Sequence, residues 1–188
     1  MEPQKQNDGV RYKLANAMKE CMRTAPVEKI TVKEIVETCG LTRQTFYRNF
    51  QDKYDLINWY FDKILLESFE HMGEGRTVYE SLVNKFEYIQ MEQLFFRAAF
   101  KNDQQNCLRD HDFELIQEFY TKQIESRTGR KISTELQFEL EMYCLGSVYM
   151  TVQWVLGYRK CTPEKLAHAL TESMPVRLHD VLQELGLI

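Results

Sequence analysis

The chain has 188 residues, 44% of them hydrophobic and 12% aromatic, which is enough to build a sizeable core, and no apolar run approaches the ~20 residues of a membrane-spanning helix. The five cysteines show no C-x-x-C spacing and their number is odd, which disfavours a zinc site and a disulfide framework. The net charge of −4 is unevenly distributed: residues 1–50 carry nine Lys/Arg and six Asp/Glu, whereas the remainder carries 15 and 22, so only one end suits contact with phosphates.

The N-terminal segment MEPQKQNDGV has no apolar stretch of the kind found in signal peptides, so we expect a cytoplasmic protein. Residues 1–8 are polar, and we expect them to be disordered. From Val10 to Thr24, apolar residues at helical spacing predict an amphipathic first helix: Leu14, Ala17, Met18 and Cys21. Pro26 is expected to end this region, since proline disfavours a helical conformation in the residue before it.

A short helix is predicted after Thr31. The sequence Thr31-Val-Lys-Glu34 fits a capping box, in which the threonine hydroxyl caps the helix and Glu34 reaches back to the cap. An apolar stripe follows, made of Val32, Ile35, Val36 and Cys39. Gly40 is expected to end the helix, because glycine adopts a left-handed conformation without steric cost, and Leu41 to fill the corner beyond it.

A second short helix is predicted from its N-cap Thr42 towards Phe50. Its outer side carries four side chains suited to contact with DNA: Arg43, Gln44, Tyr47 and Arg48. Phe46 and Phe50 are four residues apart and are expected to face inward. Two short helices joined by a glycine turn are typical of a helix-turn-helix. Arg43 and Gln44 occupy the first turn, and we assign them to bases, since arginine can grip guanine and glutamine adenine.

The segment Leu41-Thr-Arg-Gln-Thr-Phe-Tyr-Arg-Asn-Phe50, followed by Asp52-Lys53, closely resembles the recognition-helix signature of TetR-family transcription regulators. The resemblance covers about residues 10 to 65. It implies that Tyr47 offers its hydroxyl to a phosphate and that Lys53 meets another phosphate. We assign three further residues to the DNA backbone: Thr31, Thr42 and Arg48. The segment RQTFYRNFQDKYDLINWYF also resembles the corresponding segment of a narrower branch, the activators of dihydroxyacetone kinase operons.

Helical spacing continues through the remainder of the chain. A long helix is predicted from Lys53 to about Met72, ended by Gly73-Glu-Gly75. Further helices are predicted around Val78–Ile89, around Leu94–Phe100 and from Leu108 to Thr128, with a polar loop over 101–106.

Two C-terminal segments are expected to form a dimer interface. The helix predicted from Ser133 to Tyr158 is apolar over more than one face, and Thr162-Pro163-Glu164 predicts the start of another, continuing towards Leu185. These segments resemble the C-terminal region of TetR-type proteins, where two helices from each subunit form a four-helix bundle. Since helix-turn-helix proteins usually bind DNA as two-fold dimers, we expect a homodimer. The alternative is that these helices complete the core of a monomer.

The sequence gives little support for catalysis or for metal binding. None of the four histidines (His71, His111, His168 and His179) lies in a metal-binding motif, and no catalytic or nucleotide-binding motif occurs, so we expect no enzyme, metal or cofactor. The polar cluster at 109–112 fits a surface at a helix start better than an effector cavity. Cys21, Cys39 and Cys144 are predicted to be small core residues, with a redox sensor at Cys107 or Cys161 as the alternative.

The sequence thus predicts an all-α protein of about nine helices. Residues 9–51 form a helix-turn-helix DNA-binding domain, and residues 53–188 form an all-helical effector-sensing and dimerisation domain. The predicted function is sequence-specific binding of double-stranded DNA at a palindromic operator, switched by a small-molecule or protein effector. The resemblance implies an inducer pocket in the second domain, or a partner protein in the operon-activator branch. The alternative function is an all-α sensor or adaptor that acts through protein–protein contacts.

Overall fold

The computed structural model describes residues 2–70, 72, 76–101 and 107–188. Within these ranges the chain is all-α, as predicted, with ten α-helices, one 3-10 turn at Val27–Lys29, and an isolated bridge between Met72 and Arg76 in place of any strand. The helices are α1 (Glu2–Met22), α2 (Val32–Thr38), α3 (Arg43–Asn49), α4 (Lys53–Phe69), α5 (Val78–Met91), α6 (Gln93–Lys101), α7 (Leu108–Thr128), α8 (Thr134–Val155), α9 (Pro163–Glu172) and α10 (Val176–Glu184).

Several helix boundaries differ from the sequence prediction, among them the end of α8, which lies at Val155 instead of Tyr158. α1 begins at Glu2 instead of near Val10, because a formed helix propagates cheaply through polar residues and Pro3 lies in the first turn, where proline is tolerated. α4 ends at Phe69 instead of near Met72. His71, the terminator Gly73-Glu-Gly75 and the polar loop over 102–106 lie outside the described residues.

The chain divides into two compact units, Met1–Lys63 with Glu92–Leu108, and Ile64–Met91 with Arg109–Ile188. The predicted head at 9–51 therefore lies inside a larger first unit that also holds the start of α4 and the whole of α6. Aromatic packing explains this extension: the Phe61 and Phe96 ring centroids are 5.8 Å apart, and those of Tyr60 and Phe95 are 5.0 Å apart. Such contacts join residues distant in sequence, so local periodicity could not predict them.

The core of the first unit is built from the apolar residues that the sequence analysis selected. The buried ones among them are Leu14, Ala17, Met18, Ile35, Val36, Phe46 and Phe50, and Ile30 is buried as well. Leu41, at the corner after α2, is half-buried. A polar contact supports the same packing, since the Lys19 ammonium lies 2.8 Å from Glu92 Oε1 and 4.8 Å from the Tyr60 ring centroid. These contacts fix α6 against α1 and α4.

In the second unit α8 supplies much of the core. The Trp154 ring lies 5.6 Å from that of Phe86, and its Nε1 donates a hydrogen bond to the Cys161 carbonyl at 2.9 Å. Lys165 N donates to Thr162 Oγ1, and Pro163 occupies the first turn, so the predicted cap of α9 is confirmed. No helix among the described residues is long and apolar enough to cross a membrane.

A buried ion pair in this unit corrects one expectation. Asp112, predicted to belong to a surface cluster, is fully buried, and its Oδ1 lies 3.2 Å from Nζ of Lys85, which is also buried. Sequence position alone suggested exposure, because charged residues are rarely buried without a partner. The partner lies 27 residues earlier, on α5, and only the packing of α5 on α7 brings the two charges together.

The five cysteines differ in exposure. Cys144 is buried as predicted, whereas Cys21 and Cys39 are half-buried, Cys161 is half-buried and Cys107 is exposed. Burial, with a smaller contribution from the charge of Asp112, raises the pKa of Cys144 to about 12. Since the thiolate is the reactive form, we expect a thiol-specific reagent at pH 8 to modify Cys107 rapidly and Cys144 only after unfolding. Mass spectrometry of the native and urea-unfolded protein checks this, and rapid native labelling of Cys144 would contradict it.

Candidate nucleic-acid interface

The N-terminus of α2 is fixed by the capping box predicted from the sequence. Glu34 N donates to Thr31 Oγ1 at 3.2 Å, and Thr31 N donates to Glu34 Oε2 at 2.7 Å. The hydrogen bonds from Thr31 hold the pKa of the Glu34 carboxyl below its usual value, as expected for an ionised acceptor. Two of the otherwise unpaired backbone donors at this end are therefore satisfied.

The turn between α2 and α3 is a glycine-dependent C-cap. Gly40 has φ 66°, a left-handed conformation that favours glycine. Gly40 N donates to the Glu37 carbonyl at 3.3 Å, and Leu41 N donates to the Val36 carbonyl at 2.9 Å. These are the two hydrogen bonds of a Schellman motif, and they reverse the chain within a few residues.

α3 begins at its predicted cap and presents its predicted faces. Thr45 N donates to Thr42 Oγ1 at 3.1 Å. Phe46 and Phe50 are buried, with their ring centroids 5.8 Å apart. The opposite side exposes the four residues assigned to DNA: Arg43, Gln44, Tyr47 and Arg48. This seven-residue helix therefore packs against the core through one face and exposes its opposite, polar face.

The sequence analysis missed the residue that holds the end of α3. The Arg11 guanidinium lies 5.0 Å from the ring centroid of Phe50 and 5.2 Å from that of Trp59, and its Nη2 donates to the Asn49 carbonyl at 3.1 Å. It therefore satisfies a carbonyl at the C-terminus of the helix, where cations are favourable. The sequence signal for this role was the position of Arg11, an arginine among the apolar residues of α1.

The ammonium of Lys53 is hydrogen-bonded within the protein itself. Its Nζ donates hydrogen bonds to the carbonyls of Val27 at 2.7 Å, Glu28 at 2.8 Å and Ile30 at 2.8 Å. An ammonium has three protons, so all of its donors are used within the protein. The phosphate contact of Lys53, which the resemblance implies, would therefore require the ammonium to leave the turn before α2.

The hydroxyls of Thr31 and Thr42 are also engaged. Thr31 Oγ1 lies 2.7 Å from Glu34 Oε2, and Thr42 Oγ1 lies 2.9 Å from Thr45 Oγ1. Both threonines are nevertheless exposed, so their role as caps is compatible with the predicted contact with the DNA backbone. No group of His, Cys, Asp and Glu side chains that could hold a metal ion occurs among the described residues.

Comparisons with known proteins agree with this geometry. A family model described as "Bacterial regulatory proteins, tetR family" matches residues 15–59, and one described as "Transcriptional regulator C-terminal region" matches residues 76–175. The curated activator DhaS of the dhaKLM operon, from Lactococcus lactis, is 28% identical over 90 residues. That match covers 48% of this chain and 48% of the relative, about half the length of each.

Solved structures show the same fold. The dihydroxyacetone kinase operon activator DhaS has a TM-score of 0.66 at 18% identity, over 95% of this chain and 97% of that one. A TetR transcriptional regulator from Streptococcus agalactiae has a TM-score of 0.62 at 18% identity, over 92% and 97%. The family models together span both the helix-turn-helix and most of the second unit. This chain therefore belongs to the TetR family of bacterial transcriptional regulators.

Proposed function

We propose that this protein binds a palindromic operator in double-stranded DNA as a homodimer, reads bases with the first turn of α3, and is switched by an effector that acts on the second domain. The observation that carries this proposal is the exposed outer face of α3 on a helix-turn-helix fixed by caps at each helix start. We expect it to act in the cytoplasm.

Base reading is assigned to the two residues nearest the N-terminus of α3. In helix-turn-helix proteins the N-terminal residues of the second helix contact base edges in the major groove. Arg43 and Gln44 are exposed there, and both side chains can form bidentate hydrogen bonds to bases. Tyr47 and Arg48 lie further along α3 and are assigned to phosphates, which position the protein without specifying sequence.

Two arginines on the same helix provide a matched test. Arg43→Ala is expected to cost about 1–3 kcal/mol per half-site on the operator and little on scrambled DNA, because a base contact is lost. Arg48→Ala should weaken both duplexes alike and reduce the slope of log K against log salt by about 1.8, since a dimer loses two phosphate contacts. Fluorescence anisotropy at several salt concentrations measures both effects. Equal weakening of both duplexes by Arg43→Ala would show that Arg43 is a phosphate anchor.

The dimer is assigned to an exposed apolar stripe on α8. Four large side chains on this stripe are more than half exposed: Phe138 64%, Met142 58%, Leu145 53% and Tyr149 59%. Their spacing of four, three and four residues puts them on one helix face, as in the seam of a helix bundle. The opposite face, including Leu140, Cys144 and Val148, is buried in its own protomer. A second copy of the chain is the occupant that a two-fold DNA-binding dimer requires.

The effector is assigned to the second domain, which contains a small and mainly apolar cavity. The few polar residues in its lining include Lys85, Tyr120, Tyr143 and Ser147. Burial raises the pKa of both tyrosines, so they remain neutral hydrogen-bonding groups. The space among them admits about one water molecule. A small-molecule effector therefore requires these side chains to move, whereas a protein effector would act from the surface.

The likeness to the dhaKLM operon activator suggests a target. We propose that the operator lies upstream of this protein's own gene or of genes for a dihydroxyacetone kinase. A gel shift with these two DNA fragments and a scrambled control tests the proposal. Specific retardation of either fragment supports a DNA-binding regulator. Retardation of all three alike, or of none, would favour the alternative, an adaptor that acts through protein contacts.

A further inference from the structure

The three acceptors around Lys53 lie in one short segment. Val27 and Glu28 belong to the 3-10 turn, and Ile30 directly precedes Thr31, the N-cap of α2. Lys53 itself is the first residue of α4. The ammonium therefore joins the residue before the helix-turn-helix to the residue after it. Everything between Ile30 and Lys53, namely α2, the glycine turn and α3, lies inside the loop that this contact closes.

The chemistry of the contact explains why a lysine is needed. Three carbonyls at 2.7 to 2.8 Å from one nitrogen match an ammonium, which has three donors and no acceptor. Charge-assisted hydrogen bonds of this length are the stronger kind. The Val27 carbonyl also accepts a hydrogen bond from Ile30 N at 3.2 Å, whereas for the Glu28 and Ile30 carbonyls Lys53 is the side chain that donates. Removing the ammonium therefore costs each of the three carbonyls a charge-assisted hydrogen bond.

We propose that Lys53 is a positioning residue that closes the helix-turn-helix into one rigid body and so sets the orientation of α3 for base reading, and that it is not a phosphate anchor. The inference rests on the proposed function, since it concerns how α3 reads an operator. Because Lys53 is the first residue of α4, the contact also ties the helix-turn-helix to that helix.

The test compares Lys53→Met with Lys29→Met in the full-length protein. Methionine keeps the length of the side chain and removes the ammonium, while Lys29 is exposed in the same turn and loses the same charge. The measurements are anisotropy on operator and scrambled duplexes across a salt series, and the melting temperature. We expect Lys53→Met to lower the ratio of operator to scrambled affinity at least about 10-fold, because misorientation of α3 removes base contacts. The salt slope should match that of Lys29→Met.

Two results would overturn the proposal. If Lys53→Met weakens both duplexes equally and its slope falls about 1.8 below that of Lys29→Met, Lys53 contacts phosphate. If it lowers only the melting temperature and leaves both affinities unchanged, the contact stabilises the fold without positioning α3. A wild type that fails to distinguish operator from scrambled DNA would contradict the proposed function itself, independently of Lys53.

A second variant covers the case in which Lys53→Met does not fold. Lys53→Arg keeps the positive charge but cannot direct three donors from one atom, because the guanidinium is planar and larger. Positioning predicts a reduced affinity ratio for Lys53→Arg, whereas a phosphate anchor predicts binding close to that of the wild type.

Discussion

Replacement of Leu145 by glutamate is expected to convert the homodimer into a monomer and to lower operator affinity at least about 100-fold, the size of effect expected when two linked binding modules act singly. Leu145 lies in the middle of the exposed stripe on α8, at 53% exposure in the single chain. Glutamate at this position places a charge in the proposed interface, where a buried unpaired charge is costly.

The control for this prediction is Leu94→Glu. Leu94 lies on α6, is 51% exposed, and receives the same substitution away from α8. Light scattering after size exclusion gives the mass of each variant, and anisotropy gives its operator affinity. We expect Leu94→Glu to remain dimeric. A wild type that runs as a monomer at micromolar concentration, or a dimeric Leu145→Glu, would rule out the α8 stripe as the interface.

Lys85→Met is expected to lower the free energy of unfolding by about 3–5 kcal/mol, because it removes the cation that lies 3.2 Å from the buried Asp112 carboxylate. The side chains of Lys85 and Asp112 are 5% and 0% exposed, so water cannot replace the lost charge. The double variant Lys85→Met/Asp112→Leu should recover most of the loss, since apolar replacement of a buried ion pair is often neutral or stabilising.

Urea denaturation of the wild type, both single variants and the double variant completes the cycle. Lys122→Met provides a control, because Lys122 is an exposed residue of α7 and its replacement should change stability by less than about 0.5 kcal/mol. A cost for Lys85→Met no larger than that of Lys122→Met would show that the pair contributes little. A double variant as unstable as the two single losses combined would show that the charges act independently.

The DNA-reading element could be derived from the sequence because its determinants are local. A capping box, a glycine C-cap and a second threonine cap lie within the segment from Thr31 to Thr42, and each acts through residues three to five positions away. Helical periodicity then separates the buried Phe46 and Phe50 from the exposed Arg43 and Gln44. The predicted exposure of the reading residues follows from the same periodicity, while their contacts with bases stay a prediction.

Only the tertiary structure decided the roles of residues whose partners are distant in sequence. The ammonium of Lys53 donates to carbonyls more than 20 residues earlier in the chain, and Arg11 donates to the carbonyl of Asn49, 38 residues later. Asp112 on α7 forms an ion pair with Lys85 on α5. The same holds for the inclusion of α6 in the first unit. Local patterns specify where helices begin, end and turn, whereas the partner of a charged side chain depends on which helices pack together.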